Sequence, residues 1–420
     1  MAKMPKLLLL AALSCPLFGQ GERLRLMPLL EEALAANPEI QAARRRYEAS
    51  RQRPSQASSL PETMLSLGYS SNGSPLPGAG IGVEPTSNAG FMVTQEFLFP
   101  GKRKLLGDMS KRESEAEFQR YQQQQLLVVA RVKEAYHRLN HNWEVIELIE
   151  SYRDLLRRFL KISEVRYSVG KAEQQDVLKA QTQISILETR LERERLDQHM
   201  RESELQALLN RSSATPLPRP AAIRGGQFHL NIEDLVKQAR AASPMLLEEE
   251  KMIQRGETAL HLARKDVYPD YAVSGGYFNM GRMPDMYQFK VDFKLPTSFF
   301  RKQRAMVAEE SHQLAASRKS YESAYQRVLN EIRQSYLMAQ SSYRLMELYS
   351  KTVGPQANLT VESSVVSYEA GKVDFLNVLM NMITALETEE NYHMEMLQFH
   401  LSLVKLEQLT GLRLIEEEVL

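Results

Sequence analysis

The sequence predicts an α+β membrane protein, a tandem duplication of long coiled-coil helices that carries four β-strands per chain. Three observations predict it. The chain is written twice, each copy holds a helical stretch too long for an ordinary globular domain, and each holds two segments with period-two alternation.

The duplication is read from matched landmarks. Asn37-Pro38 matches Ser243-Pro244, and Pro61 and Tyr69 match Pro269 and Tyr277. Phe99-Pro100-Gly101-Lys102 corresponds to Leu295-Pro296 followed by Arg301-Lys302. Tyr167-Ser-Val-Gly170-Lys171 matches Tyr368-Glu-Ala-Gly371-Lys372, and Leu208-Leu209-Asn210 matches Leu409-Thr410-Gly411. The best match is a seam of Val129, Val132, Tyr136, Leu139, Trp143 and Ile146. Two hundred residues later stand Leu329, Ile332, Tyr336, Ala339, Tyr343 and Met346. Spacings of three and four packed this way make a heptad seam. The boundaries are therefore a first repeat at 21–210, a Pro-, Ser- and Gly-rich linker at 211–229, a second repeat at 230–414 and a tail at 415–420.

Each repeat reads helix, strand, strand, long helix, turn, helix. Pro38 opens a helix expected to run to about Ser58. Arg103–Val169 contains no proline and spans about 100 Å as a helix. It is too long to pair with either neighbour alone but matches the sum of Asn37–Ser59 and Lys171–Asn210, so two shorter helices are expected end to end along it. Arg301–Ala370, flanked by Ser243–Val267 and Lys372–Gly411, repeats the arrangement.

Between the helices, Leu65, Leu67 and Tyr69 alternate with Ser66, Gly68 and Ser70, and Phe91, Val93 and Phe97 alternate with Met92, Thr94 and Glu96. In the second repeat Tyr271, Val273 and Tyr277 alternate with small residues. Tyr287, Phe289, Val291, Phe293 and Leu295 alternate with Gln288, Lys290, Asp292 and Lys294. Such strands have one apolar and one wet face. The flanking helices run away from the sheet, so lipid is the natural cover, and Lys290, Asp292 and Lys294 are expected to face a lumen. A two-hairpin sheet in a soluble α+β domain is the competing reading. Four strands cannot close a membrane barrel, and open edges in lipid leave backbone groups unpaired at several kcal/mol each. Copies of the chain must share one barrel through cyclic symmetry.

Lys3 and Lys6, then the apolar run Leu7–Leu13, then small residues to Gly19-Gln20 read as a signal peptide at 1–20. The single cysteine, Cys15, lies inside it and fits a lipidation signal poorly, which leaves the exported chain without thiol chemistry. The 53 Lys and Arg balance 52 Asp and Glu, which argues against a nucleic-acid partner.

With these residues in place, the chain resembles the TolC-type outer-membrane efflux family. The resemblance rests on Glu96-Phe-Leu-Phe-Pro-Gly-Lys-Arg103, Val267-Tyr-Pro-Asp-Tyr-Ala-Val-Ser-Gly-Gly-Tyr277, Ser367-Tyr-Glu-Ala-Gly-Lys-Val-Asp-Phe-Leu-Asn-Val-Leu379 and Leu406-Glu-Gln-Leu-Thr-Gly-Leu412. It implies a homotrimer with one 12-stranded outer-membrane barrel, a periplasmic helical tunnel, a periplasmic adaptor protein and an inner-membrane efflux pump. The style is similar to members serving resistance–nodulation–division pumps, including heavy-metal branches. It further implies that the tips Val169-Gly170-Lys171 and Ala370-Gly371-Lys372 dock the adaptor. Two aspartates that form the acidic constriction in the best-known member correspond here to Asn377 and Met380. Asp176, Glu369 and Asp374 are the nearby replacements.

No catalytic signature and no cofactor site is read. His137 and His141 lie four apart but lack the glutamate of the zinc-protease motif, and are expected on a solvated helix face. Met280, Met283 and Met286 suggest a soft-metal site, yet no other soft ligand accompanies them, and a loop is the simpler reading. The charge runs Arg44-Arg45-Arg46 and Glu248-Glu249-Glu250 read as solvated faces. The function expected is a passive gated conduit for small toxic compounds or metal ions, not an enzyme. The alternatives are a periplasmic coiled-coil adaptor, which would carry one helical hairpin rather than two, and the outer-membrane channel of a type I protein secretion system.

Overall fold

The computed structural model of the protein describes residues 23–71, 76, 78–212, 216–221, 228–295 and 299–414. The expected signal peptide and C-terminal tail lie outside the described residues. Each half opens with a short helix that the sequence reading did not separate, α1 (Leu26–Ala36) and α6 (Ile232–Ala242). Asn37 ends α1 and caps α2 (Pro38–Ser50). Its side-chain oxygen accepts from the amides of Glu39 and Ile40 at 2.9 and 3.3 Å, and its amide nitrogen donates to the Leu208 carbonyl at 2.8 Å. Such a cap stabilises a helix by about 1 kcal/mol. The helix does not continue to Ser58. Arg51 and Gln52 form a turn before α3 (Arg53–Ala57), because Pro54 has no N–H to donate to the Ser50 carbonyl.

The long helix α4 (Lys102–Ser168) has the expected 67 residues. It packs along α1, α2 and α3 and then along α5 (Gln174–Leu208), so shorter helices do lie end to end beside it. In the second repeat α7 (Pro244–Lys265) and α10 (Phe375–Thr410) flank the rod formed by α8 (Arg304–Leu348) and α9 (Gly354–Glu369). That rod is not the uninterrupted helix expected for Arg301–Ala370. A π-helical turn at Tyr349–Val353 precedes Pro355, widening the backbone where the proline cannot donate. Gly354 makes the turn possible, since a Cβ there would sit 2.8 Å from the Tyr349 carbonyl oxygen. The returning helices begin at Gln174 and Phe375, three residues later than the expected starts at Lys171 and Lys372.

Three cores hold the rods together. Leu29, Ile40, Val132 and Leu205 centre the first repeat, and Leu246, Ile332, Phe399 and Leu406 centre the second. The third joins both repeats toward the tips through Phe159, Leu187, Phe375 and Met382. The duplication extends to individual hydrogen bonds. The hydroxyl of Tyr136 donates to the Leu24 carbonyl at 3.0 Å, and that of Tyr336 to the Leu230 carbonyl at 3.3 Å. The described residues of the linker pack against the repeats. Pro220 bridges to Leu24, Leu217 is buried in the first core, and Phe228 lies 5.3 Å from the Tyr336 ring.

Strands β1 (Met64–Ser70), β2 (Asn88–Phe97), β3 (Asp270–Asn279) and β4 (Met286–Lys294) form one antiparallel sheet in that order. Leu295, counted with β4 by its alternation, falls just past the strand. β2 and β3 pair across the two repeats, and β1 and β4 are the edges. Among the described residues no helix packs over either face. Among the described residues no helix is long and apolar enough to cross a membrane.

Candidate functional site

The strand register aligns the alternation of all four strands. Leu65, Val93, Gly275 and Phe289 share one transverse row, as do Phe97, Tyr271 and Phe293. This places the apolar side chains on one face, where Leu67 is 80% and Phe289 75% exposed. Two rows of aromatic rings cross that face. Phe97, Tyr271 and Phe293 stand with neighbouring centroids 5.3 and 6.4 Å apart, and Phe91, Tyr277 and Tyr287 with 6.1 and 5.5 Å. The rows are six residues apart along β3, or about 20 Å. The opposite face carries the charged and hydroxyl side chains, with Met92, Phe278 and Met286 toward its far end. Lys290 pairs with Asp292 at 2.8 Å, Lys294 with Glu96 at 2.6 Å, and Thr94 shares a hydrogen bond with Ser274 at 2.9 Å.

The strands are tied to the rods by a buried cation. Lys102 donates to the Tyr268 carbonyl and the Asp270 carboxylate, both at 3.0 Å, and lies 3.2 Å from Asp266. Asp270 also accepts from the Phe99 amide at 2.7 Å, and Phe99 stacks on Tyr268 at 4.5 Å. This joint connects the first strand–helix junction to the second.

At the far end, both tips end in the same backbone motif. Gly170 and Gly371 have φ of +71° and +73°. The Gly170 amide donates to Tyr167 and that of Lys171 to Arg166, as Gly371 does to Tyr368 and Lys372 to Ser367. These are paired Schellman closures, in which glycine takes the left-handed position. Val169, Lys171, Ala370 and Lys372 are exposed around them. The Arg166 guanidinium reaches from the first tip to the second, donating to the Tyr368 carbonyl at 2.5 Å and the Glu369 carbonyl at 2.9 Å. Its carbon sits 4.6 Å above the Tyr368 ring.

The candidate constriction residues are only partly brought together. Asp176 is half-buried, and burial raises its carboxyl above the ordinary value, with Glu173 and Asp374 adding repulsion. Glu369, Asp374 and Asn377 are exposed nearby. Arg166 escaped the sequence reading because its acceptors are carbonyls of the other repeat. The one available signal was a departure from the duplication, since the matching position is Ser367.

His137 corrects a second expectation. It is buried, not solvated, and its ring stacks on His400 of α10 at 4.7 Å and 7°. Among the described residues no ring nitrogen of either has a hydrogen-bond partner. The pair sits about one turn on α4 and about two turns on α10 from the buried ion pair Lys133–Glu407, at 2.5 Å. Among the described residues no group of three or more His, Cys, Asp and Glu could hold a metal ion.

Solved structures with this architecture include several described as outer-membrane channels. The chain superposes on the crystal structure of CusC with a TM-score of 0.79 at 15% identity, covering 92% of this chain and 91% of that one. OprN, described as an outer-membrane channel, gives 0.78 at 16%, covering 92% and 89%. VceC, an outer membrane protein of Vibrio cholerae, gives 0.77 at 16%, covering 92% and 96%. No curated protein sequence matches the chain. The family model described as outer membrane efflux protein matches residues 29–211 and 235–412, one segment in each repeat. The chain belongs to the outer membrane efflux protein family, a family of passive outer-membrane channels rather than enzymes.

Proposed function

We propose that the protein is the exit duct of a tripartite efflux system, in which three copies close a 12-stranded barrel and continue it as a helical tunnel through the periplasm. The observation that carries this reading is the uncovered four-stranded sheet with two open edges. Its apolar face, bounded by two aromatic rows, suits a hydrocarbon band flanked by aromatic girdles, and three sheets supply enough strands for a closed barrel. Lys290, Asp292 and Lys294 then line the lumen. The tips at Val169-Gly170-Lys171 and Ala370-Gly371-Lys372 meet a periplasmic adaptor that links the duct to an inner-membrane pump. Asp176, Glu369, Asp374 and Asn377 surround the narrow end. The pump supplies energy and selects cargo, which we assign to small toxic compounds or metal ions. Native mass spectrometry in detergent tests the assembly, where a trimer is expected and a monodisperse monomer overturns the reading. A deletion strain tested against metals, dyes, detergents and antibiotics identifies the cargo class.

A further inference from the structure

The charges of the rods are distributed in two different ways. Along their middle and lower parts, arginines meet glutamates across helices: Arg120 with Glu248, Arg131 with Glu39, Arg157 with Glu188 and Arg195 with Glu150. The collar of helix ends beside the strands is different. Arg53, Lys104, Arg264, Lys265, Arg301 and Lys302 lie there, and none of them has a carboxylate partner among the described residues. Five of the six are exposed, and Lys265 is half-buried. Two of the nearby carboxylates, Asp266 and Asp270, are committed to buried Lys102. Glu62, Asp108, Glu309 and Glu310 are the acids left within about two turns of this level, so the collar keeps a positive excess.

Local helix physics accounts for Arg264 and Lys265, which lie in the last turn of α7 where the macrodipole favours cations, but not for the rest of the excess. The α4 helix opens with Lys102, Arg103 and Lys104 and has no acidic residue in its first turn. The α8 helix likewise has none in its first turn, and Arg301 and Lys302 precede it. Cations at helix starts oppose the macrodipole, so each of these positions is unfavourable unless an anion is nearby. Lys265 places its ammonium beside Gly101, which takes a φ of +92°. The collar lies within about 10 Å of the strand ends, one to two helical turns away.

We propose that this collar docks the anionic phosphate headgroups of the leaflet that borders the helix-proximal ends of the strands. The inference rests on the barrel reading, which puts that leaflet at the level of these cations. Lysine and arginine stems can lie along the sheet's lower rim while their heads reach the phosphates. An anionic lipid surface attracts each such residue by about fivefold in partitioning. The anchoring fixes the depth of the barrel and relieves the repulsion stored at the two helix starts.

The full-length protein reconstituted in nanodiscs provides the test, with phosphatidylcholine alone or mixed with phosphatidylglycerol. Native mass spectrometry then counts retained lipids. The wild-type trimer is expected to retain phosphatidylglycerol over phosphatidylcholine, and to lose that preference at high salt. Replacing Arg53, Lys104, Arg264, Arg301 and Lys302 by glutamine should reduce the preference at least tenfold while the trimer mass persists. Should that variant fail to fold, the salt titration of the wild type decides alone. A wild-type trimer with no lipid preference overturns the collar, as does displacement of phosphatidylglycerol by inorganic phosphate at equal concentration, which would mark a free-anion site. A wild-type chain that stays monomeric in these discs overturns the barrel reading, and the collar with it.

Discussion

Arg166 lies over the Tyr368 ring at 4.6 Å and donates to the carbonyls of Tyr368 and Glu369, so one side chain of the first tip closes the helix end of the second. The ring is held from its other side, as Tyr368 packs on Phe159 at 5.0 Å and its hydroxyl donates to Ser163 at 3.4 Å. A cation placed at the carbonyl end of α9 also suits the helix macrodipole. Hydrogen bonds to a charged donor are worth about 1.5–3 kcal/mol. Arg166→Ala should therefore loosen the two tips locally by about that amount. Hydrogen exchange is expected to quicken at residues 366–372 and not in the strands, and single-channel recordings should show more frequent spontaneous opening. Unchanged exchange at these amides would show that the contact does not hold the tips.

Gly371 tests the tips as a docking end. Its φ of +73° is costly for any L side chain, by about 1–2 kcal/mol, and a Cβ there would lie 3.5 Å from Arg166 Nη2. Gly371→Trp adds bulk at an exposed point without touching a core. Export should be lost, with trimer amount and outer-membrane location as in the parent. Gly371→Ala supplies the backbone cost alone and should export nearly normally. Export by the tryptophan variant together with normal crosslinking to the adaptor would reject the assignment.

What was legible in the sequence was set by periodicity. The proline-free run Arg103–Val169 located the 67-residue helix to within one residue, because nothing local competes with a continuous run of helix formers. The strand register followed the alternation of Phe289, Val291 and Phe293. Helix interruptions were less legible, since Pro54 and Pro355 required different backbone solutions, a turn in one rod and a π-helical widening in the other. Lys102 was read only as a landmark of the repeat, Arg166 was not singled out, and His137 was read as part of a solvated helix face. Their partners, Asp270, Tyr368 and His400, belong to the other repeat, and pairings across more than 160 residues leave no mark in local spacing.

The strand faces give a directional prediction. Phe289 is 75% exposed on the apolar face, between the two aromatic rows, where Gly275 is its cross-strand neighbour. A lysine or arginine on a lipid face costs about 2–4 kcal/mol at the bilayer midplane and less toward the interface. Lys294 points the other way, and its pairing with Glu96 is solvent-exposed, worth about 0.2–1 kcal/mol. Phe289→Arg should lower the yield of heat-resistant trimer in the outer membrane, whereas Lys294→Glu should leave it near the parent level. Equal tolerance of both would reverse or abolish the assigned faces.

The stacked histidines make the seam between the repeats sensitive to acid. Burial lowers the His400 imidazole to about 4 and holds His137 well below its ordinary value, the neighbouring His400 and Lys133 adding to the effect. The groups facing the pair are Lys133 and Tyr136 on α4 and Phe399 and Glu407 on α10, with His141 and His393 about one to two turns farther along. When folded, both rings are neutral near pH 6, whereas the unfolded chain takes up protons below its ordinary histidine value of about 6.5. Stability contributed by the neutral stack is therefore intact above that value and is lost as the pH falls from about 6.5 toward 4. Each histidine contributes a slope of at most about 1.4 kcal/mol per pH unit. Thermal unfolding of the detergent-solubilised protein should shift to lower temperature between pH 7 and pH 5. Replacing both rings, His137→Phe with His400→Phe, keeps two stacked aromatics and should flatten that dependence while leaving the pH 7 midpoint close to the parent's. A double variant with the same acid shift as the parent would assign the sensitivity to carboxylates elsewhere on the rods.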